Sequence, residues 1–140
     1  MRSHFYALAI IGLAVCAVPA LAGETPSPAG AKVYFITPAD GATVKSPFAV
    51  KFGLTGMGVA PAGVDWPKTG HHHLIIDAPE PGPDSSIAND VNHLHFGGGQ
   101  TETTVTLPPG KHTLQLIMGD QGHVPHNPMV KSQVITVTVE

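Results

Sequence analysis

From Lys32 onward, apolar and polar positions alternate with period two, and no stretch shows a helical period. Phe48, Val50, Phe52 and Leu54 alternate with smaller or charged residues, which predicts a strand with one buried face. Thr101 to Leu107 is β-branched and alternating. His112, Leu114, Leu116 and Met118 share one face of the next strand, and Ile135, Val137 and Val139 share one face of the last. Lys32 to Ile36, His72 to Asp77 and His93 to Phe96 complete seven predicted strands. Turn chemistry separates them: Thr37-Pro38-Ala39-Asp40-Gly41, Gly97-Gly98-Gly99 and Pro108-Pro109-Gly110. The triple glycine is no phosphate cradle, because no Lys-Ser/Thr follows it and no helix opens after it. Three long loops remain, at 55–70, 78–92 and 119–131. Loops of that length are often functional, but 78–92 reads as a solvated connection.

Short, evenly spaced strands with no helices predict an all-β fold, an immunoglobulin-like two-sheet sandwich of about seven strands. With the strands lettered A to G in chain order, the B–C, D–E and F–G connections share one end. His71, His72 and His73 open strand C. His93 and His95 lie on strand D, and Asp120, His123 and His126 lie in the F–G loop. All three clusters are therefore expected at one end of the sandwich.

Composition agrees with the pattern. Charged residues make up 12%, against 16 glycines and 14 prolines, which suits many turns around one core. The first 22 residues stand apart. Arg2 precedes an almost wholly apolar run from Phe5 to Val18, Pro19 breaks it, and Ala20-Leu21-Ala22 fits a small-x-small cleavage site. This is the pattern of a secretory signal peptide, so a periplasmic or secreted location is expected, with cleavage after Ala22. The run is short for a retained membrane anchor. A lipidated Cys16 is the other alternative, with Val15 a poor fit before it. Residues 23–31 read as a flexible leader and 32–140 as the domain. Cleavage would remove Cys16, the single cysteine, so no disulfide could form and folding would rest on the core or on a metal. Six lysines against ten carboxylates would give the mature chain a net charge of −4. No basic patch points to nucleic acid, and no later apolar run is long enough for an integral membrane span.

The chemistry therefore lies in the eight remaining histidines. His93-x-His95 places two imidazoles on one strand face about 6.6 Å apart, close enough to share an ion. Alternation separates His72 from His71 and His73, which are favoured as the pair facing a metal; the third histidine is then a core imidazole. Asp120-x-x-His123-x-x-His126 lies in a loop stiffened by Pro125 and Pro128, with Asp120 as ligand or as orienting partner. The metal candidates are thus His71, His73, His93, His95, Asp120, His123 and His126. Met57, Met118 and Met129 could add thioethers, though core filling suits Met118 better. His112, which follows Pro-Pro-Gly, is assigned to structure at the opposite end, bonding backbone.

The segments Gly70–Asp77, His93–Glu102 and Leu107–Leu116, with Gly119-Asp120, His123, Pro125 and His126, resemble an uncharacterised bacterial secreted family, domain of unknown function 4399. The resemblance implies a secreted β domain and carries no activity or ligand. More loosely, Thr37–Gly41 and Leu107-Pro108-Pro109-Gly110 look like the turns of small periplasmic copper carriers of sandwich fold. Those carriers often bind copper through an N-terminal histidine. Gly23 would open the mature chain here, so that site does not transfer.

Imidazole suits copper and zinc, and the usual affinity order favours copper. The expectation is a copper-binding carrier with zinc as the alternative ion; protein partners are undefined. Two other classes stand beside it: a structural or adhesive sandwich whose histidines make hydrogen bonds, and a metal-dependent hydrolase. No Gly-x-Ser-x-Gly elbow, His-Glu-x-x-His motif or mature cysteine nucleophile supports an enzyme.

Overall fold

The computed structural model describes residues 25–140, so the expected signal peptide lies outside the described residues. Nine strands form two sheets, and the described residues contain no helix. In chain order they are β1 (Lys32–Thr37), β2 (Thr43–Val44), β3 (Phe48–Thr55), β4 (Gly58–Val59), β5 (Thr69–Ile76), β6 (His93–His95), β7 (Glu102–Val105), β8 (Gly110–Gly119) and β9 (Ile135–Val139). One sheet has the order β1-β3-β7; the other runs β2-β9-β8-β5-β4, with β6 also on β5. This is an immunoglobulin-like sandwich. The seven expected strands are all present. The two additions, β2 and β4, are two-residue strands, too short to show any periodicity.

The inner faces meet in one core that includes Val33, Val50, Phe52, Leu74, Leu114, Leu116, Met118 and Val137. Met118 is fully buried there, as core filling requires. The outer face of β5 and β8 is covered as well. Ile75 and Ile117 pack beneath Ile87, which comes from the 78–92 loop. Burial on both faces explains the unbroken apolar run Leu74-Ile75-Ile76, where a half-exposed strand would alternate. The 78–92 loop is therefore no solvated connection at Ile87, where only 5% of the residue is exposed.

The leader also differs from expectation. Ser27 N–H donates to the Asn127 carbonyl at 3.0 Å, Asn127 N–H donates to that of Thr25 at 2.9 Å, and Thr25 Oγ1 donates to Asp120 at 2.7 Å. From Thr25 on, the chain is tied to the loop after β8, because unpaired backbone groups there find partners.

Candidate metal centre

β5 and β8 pair antiparallel with His71 opposite Gly119 and His73 opposite Ile117. On the other edge of β5, His95 lies opposite His73 and Leu94 opposite Leu74. Cross-strand partners point to the same face. Leu94 therefore turns into the core while His95 joins His71 and His73 on the outer face. The turn after β8 adds His123. Its carbonyl accepts the Ile87 N–H at 2.8 Å, fastening the 78–92 loop over the same face. The three histidine segments do meet, but on the outer face of the six-stranded sheet near the start of β5, rather than among the loops at the tip of the sandwich.

His71, His73, His95 and His123 each present a ring nitrogen within 4.8 Å of the others. His73 Nε2 is 2.9 Å from His71 Nε2, which is 3.1 Å from His123 Nδ1. Metal–nitrogen bonds of about 2.0–2.1 Å would set tetrahedral donors about 3.3 Å apart. Two of the spacings approach that value and all lie within 4.8 Å, so the cluster could hold a metal. Hydrogen bonding alone serves it badly. His71 Nε2 faces two other ring nitrogens, and a neutral imidazole has a single N–H to share among them. On the other side of their rings from these contacts, His71 Nδ1 and His73 Nδ1 are buried without any partner, as is His95 Nε2. Unmet buried groups of this kind cost about 1–3 kcal/mol each.

The site also resists protons. Burial, then the neighbouring rings of His95 and His123, lowers His71 to about 4, against a smaller opposing pull from Asp120. Burial and then His71, His95 and His123 lower His73 to about 3. His95 is lowered by burial and by His123. Near neutral pH these three rings are unprotonated, the state a metal requires.

Space for the rings comes from two glycines. A Cβ on Gly97 would lie 2.6 Å from His95 Nε2, and one on Gly119 2.8 Å from His73 Nε2. His123 adopts φ +67, unusual for a residue with a side chain. Asp120 holds that turn: its Oδ1 accepts the N–H of Gly122 at 2.9 Å and of Val124 at 3.0 Å.

The remaining candidates lie apart from the cluster. Asp120 serves the turn and the Thr25 hydroxyl. His93 shares a strand face with His95, but its Nδ1 lies 2.8 Å from Asp90 Oδ1. His126 is buried between backbone carbonyls, 3.1 Å from Thr69 O and 3.4 Å from Met118 O, and so ties the start of β5 to the end of β8. His72 faces inward, 5.1 Å from the Phe52 ring. Neither of its ring nitrogens has a well-aligned partner. Burial lowers its pKa to about 4, and the Gln100 backbone opposes this only in part. His112 bonds at the far end of β8, as assigned, to Pro108 O at 2.9 Å and also to Asp77 Oδ2 at 2.6 Å.

Sequence reasoning missed the wall of the site. A cleft of about 330 Å³ opens beside the cluster, lined by His73, His95 and His123 with Ser86, Ile87 and Asn89. An isolated isoleucine in a polar loop was the available signal. It does not decide the matter, since Val91 in the same loop is 85% exposed.

No curated protein matches the chain. Among solved structures, it is similar to an endo-beta-1,4-mannanase from Thermotoga petrophila at 19% identity and a TM-score of 0.46, over 79% of this chain and 20% of that one. The chain thus spans about a fifth of that protein's length. Residues 50–140 match the family described as Domain of unknown function (DUF4399), and the chain belongs to that family.

Proposed function

We propose that this is an exported, periplasmic copper-binding protein that carries one ion between His71, His73, His95 and His123. The supporting observation is the convergence of four ring nitrogens, from two strands and one turn, within 4.8 Å. The donor set is all imidazole, which suits copper and zinc, and the affinity order favours Cu(II). A carrier fits better than a hydrolase. Four protein ligands complete a four-coordinate shell, whereas catalytic zinc keeps one position for water. Export rests on the N-terminal segment described above.

Metal analysis and calorimetry on untagged protein test this reading. The expected result is one ion per chain, with Cu(II) bound more tightly than Zn(II). Binding no tighter than that of an exposed histidine pair would overturn it. Tighter zinc binding would replace copper with zinc as the cargo.

A further inference from the structure

The four rings are not equivalent. His71 and His73 are 0% and 1% exposed and sit on the central strand β5. His95 and His123 are half-buried, on a three-residue edge strand and on a turn. Of the four, only His71 is absent from the wall of the cleft. The cleft holds about 330 Å³, whereas one water occupies about 30 Å³ of liquid. It is therefore far larger than a bare ion needs.

Its lining contains no carboxylate. The nearby Asp120 already accepts bonds from Gly122, Val124 and Thr25. A divalent ion among neutral imidazoles would leave two positive charges uncompensated beside a low-dielectric wall, a costly arrangement. An incoming anion would offset that cost. The cleft's outer rim carries Ser86 and Asn89, both exposed; the Asn89 amide can donate to a carboxylate oxygen, and so can the Ser86 hydroxyl on leaving its long 3.5 Å contact with the Gly122 carbonyl. Ile87, buried against Ile75 and Ile117, holds that rim in place.

We propose that this cleft is a second binding site, for a small, amino-acid-sized carboxylate chelator. The chelator forms a ternary intermediate by replacing His95 and His123 in turn while His71 and His73 still hold the ion. The ion then leaves with the chelator as those two bonds break and the displaced rings return. Ser86 and Asn89 orient the carboxylate. This rests on the metal-carrying reading, and the test separates the two.

The probe is glycine, titrated into protein already shown to hold one Cu(II) per chain; failure at that first stage counts against the carrier reading. Methylamine, which lacks the carboxylate, is the control. The expected result is a saturable change in the Cu(II) electron paramagnetic spectrum with glycine and none with methylamine at equal concentration. Glycine should also speed copper transfer to an external chelator. The double change Ser86→Ala/Asn89→Ala, on exposed side chains, should keep one copper per chain and raise the glycine concentration for half-saturation at least about tenfold, as expected for lost hydrogen bonds to a charged group. Stripping of copper by glycine without a saturable intermediate would overturn the proposal. So would an equal response to methylamine, or a double variant that responds like the parent.

Discussion

Two histidine environments lie along the same pair of strands, and they oppose each other. Near the start of β5, imidazoles face imidazoles. Lone pairs converge, protons are disfavoured, and three ring nitrogens are orphaned. At the other end, His112 stands between two acceptors, the Asp77 carboxylate and the Pro108 carbonyl. Both of its nitrogens can then donate, which favours the imidazolium, and its pKa is raised, chiefly by the Asp77 hydrogen bond. The residue type is the same in both places. What faces the ring nitrogens decides whether a histidine is held neutral or drawn towards the imidazolium.

Acid should separate the two ends most strongly. His71, His72 and His73 have folded values of about 4, 4 and 3, below the 6.5 of an unfolded chain. As pH falls below 6.5 the unfolded chain takes up protons first, so their stabilising contribution shrinks between pH 6.5 and about 3. Each unit of depression is worth about 1.4 kcal/mol, so together they should remove several kcal/mol, a large part of a domain's usual stability. Urea unfolding of the metal-free protein at pH 7 and at pH 4.5 should show this loss. Equal stability at the two values would mean that these rings are not buried as neutral bases.

Next in size is the loss of a ligand. His73→Ala removes one of the two fully buried rings of the cluster and should weaken metal binding by more than about 100-fold, beyond what outer partners usually contribute. His112→Ala should leave binding unchanged. Calorimetry on both variants, with circular dichroism to confirm folding, reads the contrast. Equal losses in the two would erase the distinction between the ends.

The strand ladder was legible because period-two alternation needs only local information. The meeting of the histidine segments was legible from chain direction in a sandwich. The membership of the cluster was not. His93 and His95 share a strand face, and what tells them apart is the register, which sets His95 opposite His73 and His93 opposite Ile75, together with the nearby Asp90 carboxylate that captures the His93 ring. Ile87 and Val91 are alike in composition and in loop, yet one is buried and the other exposed, because tertiary packing on Ile75 and Ile117 selects the first. Gly97 and Gly119 read as turn and strand end, while their lack of a side chain leaves room for His95 and His73.

A smaller effect of opposite sign is expected at the His112 end. Its raised pKa means that the Asp77 contact stabilises the fold at pH below 6.5 and that this contribution fades as pH rises through the folded value. Asp77 is 38% exposed at its side chain, so solvent screening holds the contribution to about 1 kcal/mol. His112→Ala should therefore cost more stability at pH 6 than at pH 9, the reverse of the trend set by the cluster. A cost that grows with pH would contradict the charged assignment.

The smallest effect is expected from His93→Ala, which makes it the sharpest check on where the site ends. His93 and His95 are two residues apart on β6, opposite Ile75 and His73 respectively. If a shared strand face were enough for ligation, the two substitutions would weaken the metal equally. The geometry separates them. His95 packs with ring centroids 4.6 Å from His123 and 5.0 Å from His71, whereas the His93 ring turns to Asp90 at the strand's start. A single hydrogen bond to a half-exposed carboxylate contributes little to stability. His93→Ala should therefore change neither the melting temperature nor the copper stoichiometry measurably, and its affinity should stay within a few-fold of the parent, while His95→Ala weakens binding by orders of magnitude. Parallel calorimetric titrations decide between them. A loss in His93→Ala comparable to that in His95→Ala would mean that the Asp90 contact gives way when the ion binds, and that the centre extends two residues back along β6, to His93.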